Sequence, residues 1–407
     1  MPFDHIHLGA GRGGLGAILP TSIDAGGSVH VVAHTASTLP PGSELVCCIC
    51  FEAGQREDRS LEIASLSIAC TIKQMKEAAR AVLVAAPSLL ITTTLSPEGI
   101  AAQSEFLLAL AAERAGKHTI FIPCEYEQFD GGHEELRKQL LGLRVDVRRS
   151  VVNRLCSAEP LATDETRRAV RADEQVEWYI EGMPDCPLLQ ALERSPGVRF
   201  SDHIEQHRLR TRWLAHGMHL SLALLASEHK QVQLRAQAAE LAREYWIDRV
   251  LLMLVEHAQA RCPDLEDTYE YAQLQVEALL RYEQDGTVAL RNLRRAHPLP
   301  FLRELGESIV EPWAEIVQGG GVQLPPEVLR LFHAIEVVLC DVARYSDANR
   351  YEAREMVLDA ELDGQASAAY RRMLERVFPR EPTAVAGRVI ALEVALDLHR
   401  DEYEGSD

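Results

Sequence analysis

The chain has 407 residues, enough for two domains of ordinary size and too many for a small disulfide-stapled scaffold. Hydrophobic residues at 47% and charged residues at 25% are a globular composition, which excludes an intrinsically disordered chain. A formal net charge of −19 repels nucleic-acid phosphates and anionic lipid surfaces, so neither nucleic acid nor a membrane is expected as a partner.

The chain opens with Asp4, His5 and His7 rather than with a basic and then apolar signal, and no uncharged apolar run of membrane-spanning length occurs. The nine cysteines are odd in number and fall mostly in apolar runs such as residues 45–51, the usage of reduced, buried thiols. Cys47, Cys48 and Cys50 alternate across a strand and have no second cysteine pair at ligand spacing, so they are read as core. A soluble, cytoplasmic protein is expected.

Residues 3–8, 29–33, 45–50, 89–94 and 119–123 read as short strands, with helical spacing over 70–86 and 100–115. That alternation implies a mostly parallel sheet covered by helices. After Ser201 the texture becomes long Leu/Ala/Glu/Arg runs, over 203–226, 230–261, 265–282, 326–345 and 368–378, so the second half is expected to be nearly all helix. The Pro- and Gly-containing stretch 195–202 is the natural boundary, giving domains of 1–198 and 199–407.

Residues 7–16 read HLGAGRGGLG, placing Gly9, Gly11 and Gly14 in a G-x-G-x-x-G pattern directly after the first strand. Such glycines allow a tight turn, close approach to a pyrophosphate and close packing of helix on strand, while helix N–H groups meet the anion. Gly9, Ala10, Gly11, Gly13 and Gly14 are therefore the candidate phosphate contacts of a dinucleotide site. The alternative is a glycine-rich turn without a ligand. Where a NAD site places an acid for the ribose hydroxyls, residues 25–43 hold neither acid nor Lys or Arg. The expected position falls on Ala33, followed by His34, so the choice between NAD and NADP stays open. Substitution at Gly11 or Gly14 is expected to weaken nucleotide binding and leave the fold largely intact.

Several segments in order along the chain resemble the polyol-specific long-chain dehydrogenases, the family of mannitol 2-dehydrogenase, mannitol-1-phosphate 5-dehydrogenase and the hexuronate reductases. These are HLGAGRGG, ITTTLSP at 91–97, PCEYEQFDGG at 123–132, SVVNRLCS at 150–157, residues 202–219 and, faintly, 298–312. The resemblance implies an α/β Rossmann-type N-terminal domain followed by a mostly α-helical C-terminal domain. It further implies metal-free hydride transfer between a polyol and a ketose, a site in the cleft between domains, and a place for Thr93 and Thr94 beneath the nicotinamide.

The chain departs from the family where the chemistry lies. Members carry a Lys, an Asn five residues on and a His eight residues on along one helix; laid without gaps, these fall on Thr211, His216 and His219, and only the histidine is retained. A second oxygen-binding Asn falls on Asp130. Removing a hydroxyl proton as hydride leaves requires a base, and histidine titrates in a suitable range whereas a threonine hydroxyl does not. At α-helical spacing Arg212, His216 and His219 share one stripe. The expected arrangement is Asp130 orienting His216 as base, with His219 and Arg212 holding the substrate oxygen or an acidic substituent.

The bland reading of that stripe is a solvated polar face beside His203, His207, Arg208 and Arg210. A zinc reading of the spaced histidines lacks an H-E-x-x-H signature, so no metal is expected. Neither a G-x-S-x-G elbow nor a G-K-[ST] follow-on to the glycine loop occurs, which excludes serine-hydrolase and P-loop chemistry. Two functions remain: an NAD(P)-dependent oxidoreductase acting on a polyol, sugar phosphate or related hydroxy compound, and a non-redox ligand-binding or partner protein that retains the dehydrogenase fold.

Overall fold

A computed structural model describes residues 3–9, 11, 13–33, 45–50, 56–61, 65–68, 87–95, 97–114, 117–124, 131–154, 156–160, 168–221, 250–282, 305–318, 328 and 331. The chain divides into two compact units, Met1–His207 and Arg208–Asp407.

The first unit is built on a six-stranded sheet. Its strands are β1 (Phe3–Leu8), β2 (Gly27–Ala33), β5 (Ser65–Ile68), β6 (Ser88–Thr93), β7 (His118–Pro123) and β8 (Asp146–Val147). Their order is β5-β2-β1-β6-β7-β8, and every neighbouring pair is parallel. Strand order reverses between β1 and β6, the place where open parallel sheets present ligand sites at the carboxyl ends of their strands.

Alternation within each strand divides the core between two faces. On one, Phe3, Val29, Val31, Leu90, Ile120 and Ile122 meet Leu15, Ile18 and Leu19 of the helix that follows the glycine loop. On the other, Ile6, Leu8, Leu89, Ile91 and Phe121 meet Phe106, Leu107 and Leu110, with Leu136 and Leu140 beyond. The latter belong to helices Pro97–Glu113 and Gly131–Gly142.

The helix after the loop is wound as a π-helix over Gly14–Ile18 and as an α-helix over Leu19–Asp24. It stops at Gly26, whose φ of 86° lies in the left-handed region, with its N–H donating to Ile23 O at 2.9 Å.

The strand expected over 45–50 is present as β3 (Leu45–Cys50), but it is not part of the parallel sheet. It pairs antiparallel with β4 (Arg56–Leu61) and parallel with β11 (Arg168–Asp173), which pairs with β10 (Cys156–Pro160). A third sheet joins β12 (Glu177–Glu181) to β9 (Ser150–Asn153) and β13 (Val198–Ser201). It carries Trp178, Ile180 and Val198 into the same core as the helix after the loop.

In the second unit the described residues are helical over most of their length. Helices run over Leu251–Arg261 and Thr268–Tyr282, and over 305–318 with a π turn at Gly306–Val310. The helix expected from 203 starts at Ile204 and is wound as π over Thr211–Gly217. The helices expected over 70–86, 326–345 and 368–378 fall outside the described residues, apart from Val328 and Leu331. No helix among the described residues is long and apolar enough to cross a membrane.

Trp178 is fully buried, and its Nε1 has no hydrogen-bond partner among the described residues. Its contribution is therefore packing alone. Trp178→Ala should cost about 3–5 kcal/mol in chemical denaturation, whereas Trp178→Phe, which forfeits no hydrogen bond, should retain most of that stability. Equal losses in the two variants would mean that the indole N–H has a partner.

Candidate functional site

The glycine loop leaves the carboxyl end of β1 and is pinned on both sides. Gly9 N–H donates to Val32 O, and Thr94 N–H donates to Leu8 O, both at 3.0 Å, so the ends of β2 and β6 flank it. Gly9 has a φ of 109°, and a Cβ there would stand 2.8 Å from Thr94 O. Both demands select glycine.

The other loop glycines differ in what surrounds them. Gly11 and Gly13 are exposed; a Cβ on Gly11 would find its nearest neighbour at 3.7 Å, and one on Gly13 would find open space. Gly14 is buried, and a Cβ there would collide with the His7 ring and stand 2.6 Å from Thr94 Oγ1. Gly14 is thus the point where the helix lies directly on β1. This corrects the expectation that substitution at Gly14 would leave the fold intact, because its hydrogen faces the strand.

Leu15 N–H donates to Gly11 O at 3.0 Å, which closes the first turn and leaves the preceding amides at the open end of the helix. An exposed glycine at that end, beside two sterically obliged glycines, fits the pyrophosphate of a dinucleotide.

Beneath the loop runs a polar seam that the sequence reading did not single out. His5 Nδ1 lies 2.8 Å from Ser22 Oγ, and His5 Nε2 lies 2.6 Å from Thr92 Oγ1. His7 Nδ1 lies 2.6 Å from the same Thr92 Oγ1, and its Nε2 lies 3.1 Å from Thr94 Oγ1. His5, His7, Ser22 and Thr92 have no solvent exposure. Burial lowers the pKa of His7 to about 3. Burial, then the neighbouring His7 and His30, lowers that of His5 well below the ordinary histidine range. Both rings are therefore neutral at physiological pH. The signal in the sequence was the alternation H-x-H on a strand whose other residues, Asp4 apart, are apolar.

Thr93 is the last residue of β6, and Thr94 follows it. Thr94 is half-buried beside the loop, whereas Thr93 is fully buried, with a hydroxyl that has no partner among the described residues. Ala33 is the last residue of β2, adjoining the loop through Val32. Ala10, His34 and Asp130 lie outside the described residues.

In the second unit, Thr211 is buried and accepts a hydrogen bond from Tyr271 Oη at 3.0 Å. Arg210 is fully buried, with its guanidinium 4.1 Å from the Tyr271 ring centroid and in an ion pair with Asp267. Arg212 forms an ion pair with Glu307. Trp213 stacks on His257 at a centroid distance of 5.1 Å, and His257 Nε2 lies 3.0 Å from Glu315 Oε2.

Around the π turn, Arg212, His216 and His219 are half-buried, the first two each between buried neighbours. Desolvation, assisted by His216, lowers the His219 pKa to about 4, so its ring is neutral near pH 7. Among the described residues, no group of three His, Cys, Asp or Glu side chains is placed to hold a metal ion.

The architecture is the Rossmann-type α/β domain followed by a mostly helical domain, the fold of polyol dehydrogenases. The chain superimposes on Pseudomonas fluorescens mannitol 2-dehydrogenase, solved as a ternary complex with NAD and D-mannitol, with a TM-score of 0.64 and 14% identity over 99% of this chain and 92% of that one. D-sorbitol dehydrogenase, solved in substrate-free form, gives a TM-score of 0.56 and 11% identity over 94% of each chain. No family model and no curated protein sequence matches the chain.

Two outcomes are expected from this geometry. Gly14→Ala should lower the melting temperature markedly, while Gly11→Ala should leave it close to the parent, because only the former places a methyl group on the His7 ring. Between about pH 6.5 and pH 3 the unfolded chain protonates His7 and the folded chain does not, so stability falls as pH falls through that window and is unaffected above it. Urea unfolding should show a loss of about 2–3 kcal/mol from His7 alone by about pH 4.5, which His7→Gln removes.

Proposed function

We propose that the protein is an NAD(P)-dependent oxidoreductase acting on the CH–OH group of a small polyol, sugar phosphate or related hydroxy compound. The observation that carries the reading is the glycine loop at the reversal of strand order, with Gly9 and Gly14 sterically obliged and Gly11 open at the helix end. The likeness to two polyol dehydrogenases supports it. Gly9, Ala10, Gly11, Gly13 and Gly14 hold the pyrophosphate, and Thr93 and Thr94 close the site at the end of β6. Ala33 and His34 bring no carboxylate to the adenosine ribose, so both NAD and NADP are accommodated. The nicotinamide, when bound, supplies the hydride chemistry.

The helical unit supplies the proton chemistry. Thr211, at the position of the family's base, has its hydroxyl enclosed with Tyr271 and cannot serve as one. His216, half-buried on its helix, accepts the substrate hydroxyl proton. His219, neutral at physiological pH, holds the substrate oxygen. Arg212 presents its charge with Glu307 as counter-ion. The described cysteines Cys124, Cys156, Cys186 and Cys262 are unbridged, which suits a reducing cytoplasm.

One observation favours a second reading, a non-redox ligand-binding protein. The Thr211 hydroxyl and the Arg212 guanidinium are both engaged by protein groups.

Fluorescence titration with NADH and NADPH tests the nucleotide site, and failure of both to bind at about millimolar concentration would sink the proposal. Nicotinamide absorbance during a single turnover with a panel of polyols and sugar phosphates excludes the second reading if it changes. His216→Ala should lower kcat by about 10²-fold or more with little change in cofactor affinity, and full activity would move the role to His219. Ala33→Asp should shift preference towards NAD, since a carboxylate accepts from ribose hydroxyls and repels a 2′-phosphate; an unchanged NADH to NADPH affinity ratio would show that Ala33 does not face the ribose.

A further inference from the structure

The seam beneath the glycine loop has a direction, and the direction follows from counting hydrogens. Ser22 Oγ is buried, and its partner among the described residues is His5 Nδ1. A hydroxyl hydrogen in that position has no other acceptor among the described residues, so Ser22 donates and Nδ1 accepts.

A neutral imidazole that accepts at Nδ1 carries its proton on Nε2. His5 Nε2–H therefore donates to Thr92 Oγ1. The remaining neighbour of Thr92 Oγ1 is His7 Nδ1, and the Thr92 hydrogen goes there. His7 is then also protonated on Nε2 and donates to Thr94 Oγ1. Reversing the chain would leave the Ser22 hydrogen buried without an acceptor. Letting both rings donate into Thr92 would strand the Thr92 hydrogen. The one arrangement that leaves no buried hydrogen unspent runs from Ser22 to Thr94, and it leaves the Thr94 hydroxyl hydrogen without an acceptor among the described residues.

That hydroxyl is half-buried and abuts the loop. Its oxygen stands 3.1 Å from a Cβ built on Gly9 and 4.0 Å from one built on Gly11. We propose that Ser22, His5, Thr92 and His7 are positioning residues that fix the Thr94 hydroxyl as a hydrogen-bond donor to a phosphate oxygen of the bound nucleotide. The proposal rests on the nucleotide reading above and adds to it the group that the buried histidines serve. A donor held in advance at the place where an anion binds needs no reorganisation on binding, which is the use that would keep two histidines inside a parallel sheet.

The test has two arms on the full chain. In the first, two-bond ¹H–¹⁵N correlation of ¹⁵N-histidine-labelled protein reads the ring tautomers directly, with His5 and His7 assigned from single substitutions. Both rings should be neutral and protonated on Nε2, with and without ADP-ribose, and an Nδ1-protonated ring at either position overturns the proposal. In the second, the probe is ADP-ribose, which carries the pyrophosphate and lacks nicotinamide.

Thr94→Val and His7→Phe remove the donor or its support and should weaken ADP-ribose binding about tenfold. Thr94→Ser keeps the hydroxyl and His7→Gln keeps a donor towards Thr94, so both should stay within about threefold of the parent. If the parent binds neither NADH nor ADP-ribose, the nucleotide reading fails and takes this proposal with it. If the parent binds and Thr94→Val binds as tightly, the positioning chain alone is overturned. Should His7→Phe fail to fold, the tautomers of the parent protein still decide.

Discussion

The close approach of one helix to one strand governs the first unit. At Gly14 the helix after the loop lies so near β1 that the His7 ring fills the space where a side chain would begin. Two histidines inside a parallel sheet would ordinarily be costly, because each neutral ring brings a donor and an acceptor that water no longer satisfies. Here every ring nitrogen has a hydroxyl within hydrogen-bond reach, supplied by Ser22 from the helix and by Thr92 and Thr94 from β6. The seam thereby ties three elements together at fixed register.

The helical unit joins buried polar groups with different chemistry. Arg210 is a fully buried cation, and it is held by Asp267 and by the face of Tyr271. The Tyr271 hydroxyl continues the set to Thr211. A threonine at this position is thus part of a packed polar cluster, and the helix around it departs from α geometry as a π turn. Such turns insert a residue into the helical ladder and alter which side chains share a stripe. Arg212, His216 and His219 are half-buried around it, next to the fully buried Thr211, Trp213, Leu214 and Met218.

Much of this architecture was legible in the sequence, and the reasons divide cleanly. Strands β6 and β7 carry apolar runs buried on both faces, LLIT and IFIP, and runs of that kind announce themselves. Among the strands that escaped notice, REDRSL, CSAEP and RAVRAD are mixed in polarity and lie in a small sheet apart from the parallel one. β3 was recognised as a strand but assigned to the wrong sheet, since a run like LVCCIC suits any buried strand and the choice rests on contacts with residues over 120 positions away. The glycine spacing identified the loop. It could not distinguish the glycine that faces a ligand from the one that faces a histidine, because the motif records absent side chains and says nothing of what occupies their space.

The histidines show the same limit from the opposite direction. His5 and His7 read in the sequence as polar interruptions near a terminus, while His216 and His219 drew attention as a pair on a helix. In the structure the first pair is the more deeply enclosed and has every nitrogen accounted for, whereas the second is half-buried on one helix. A ring with both nitrogens committed to fixed hydroxyls is suited to holding a neighbour still, and a ring with open surface is suited to exchanging a proton with something that arrives.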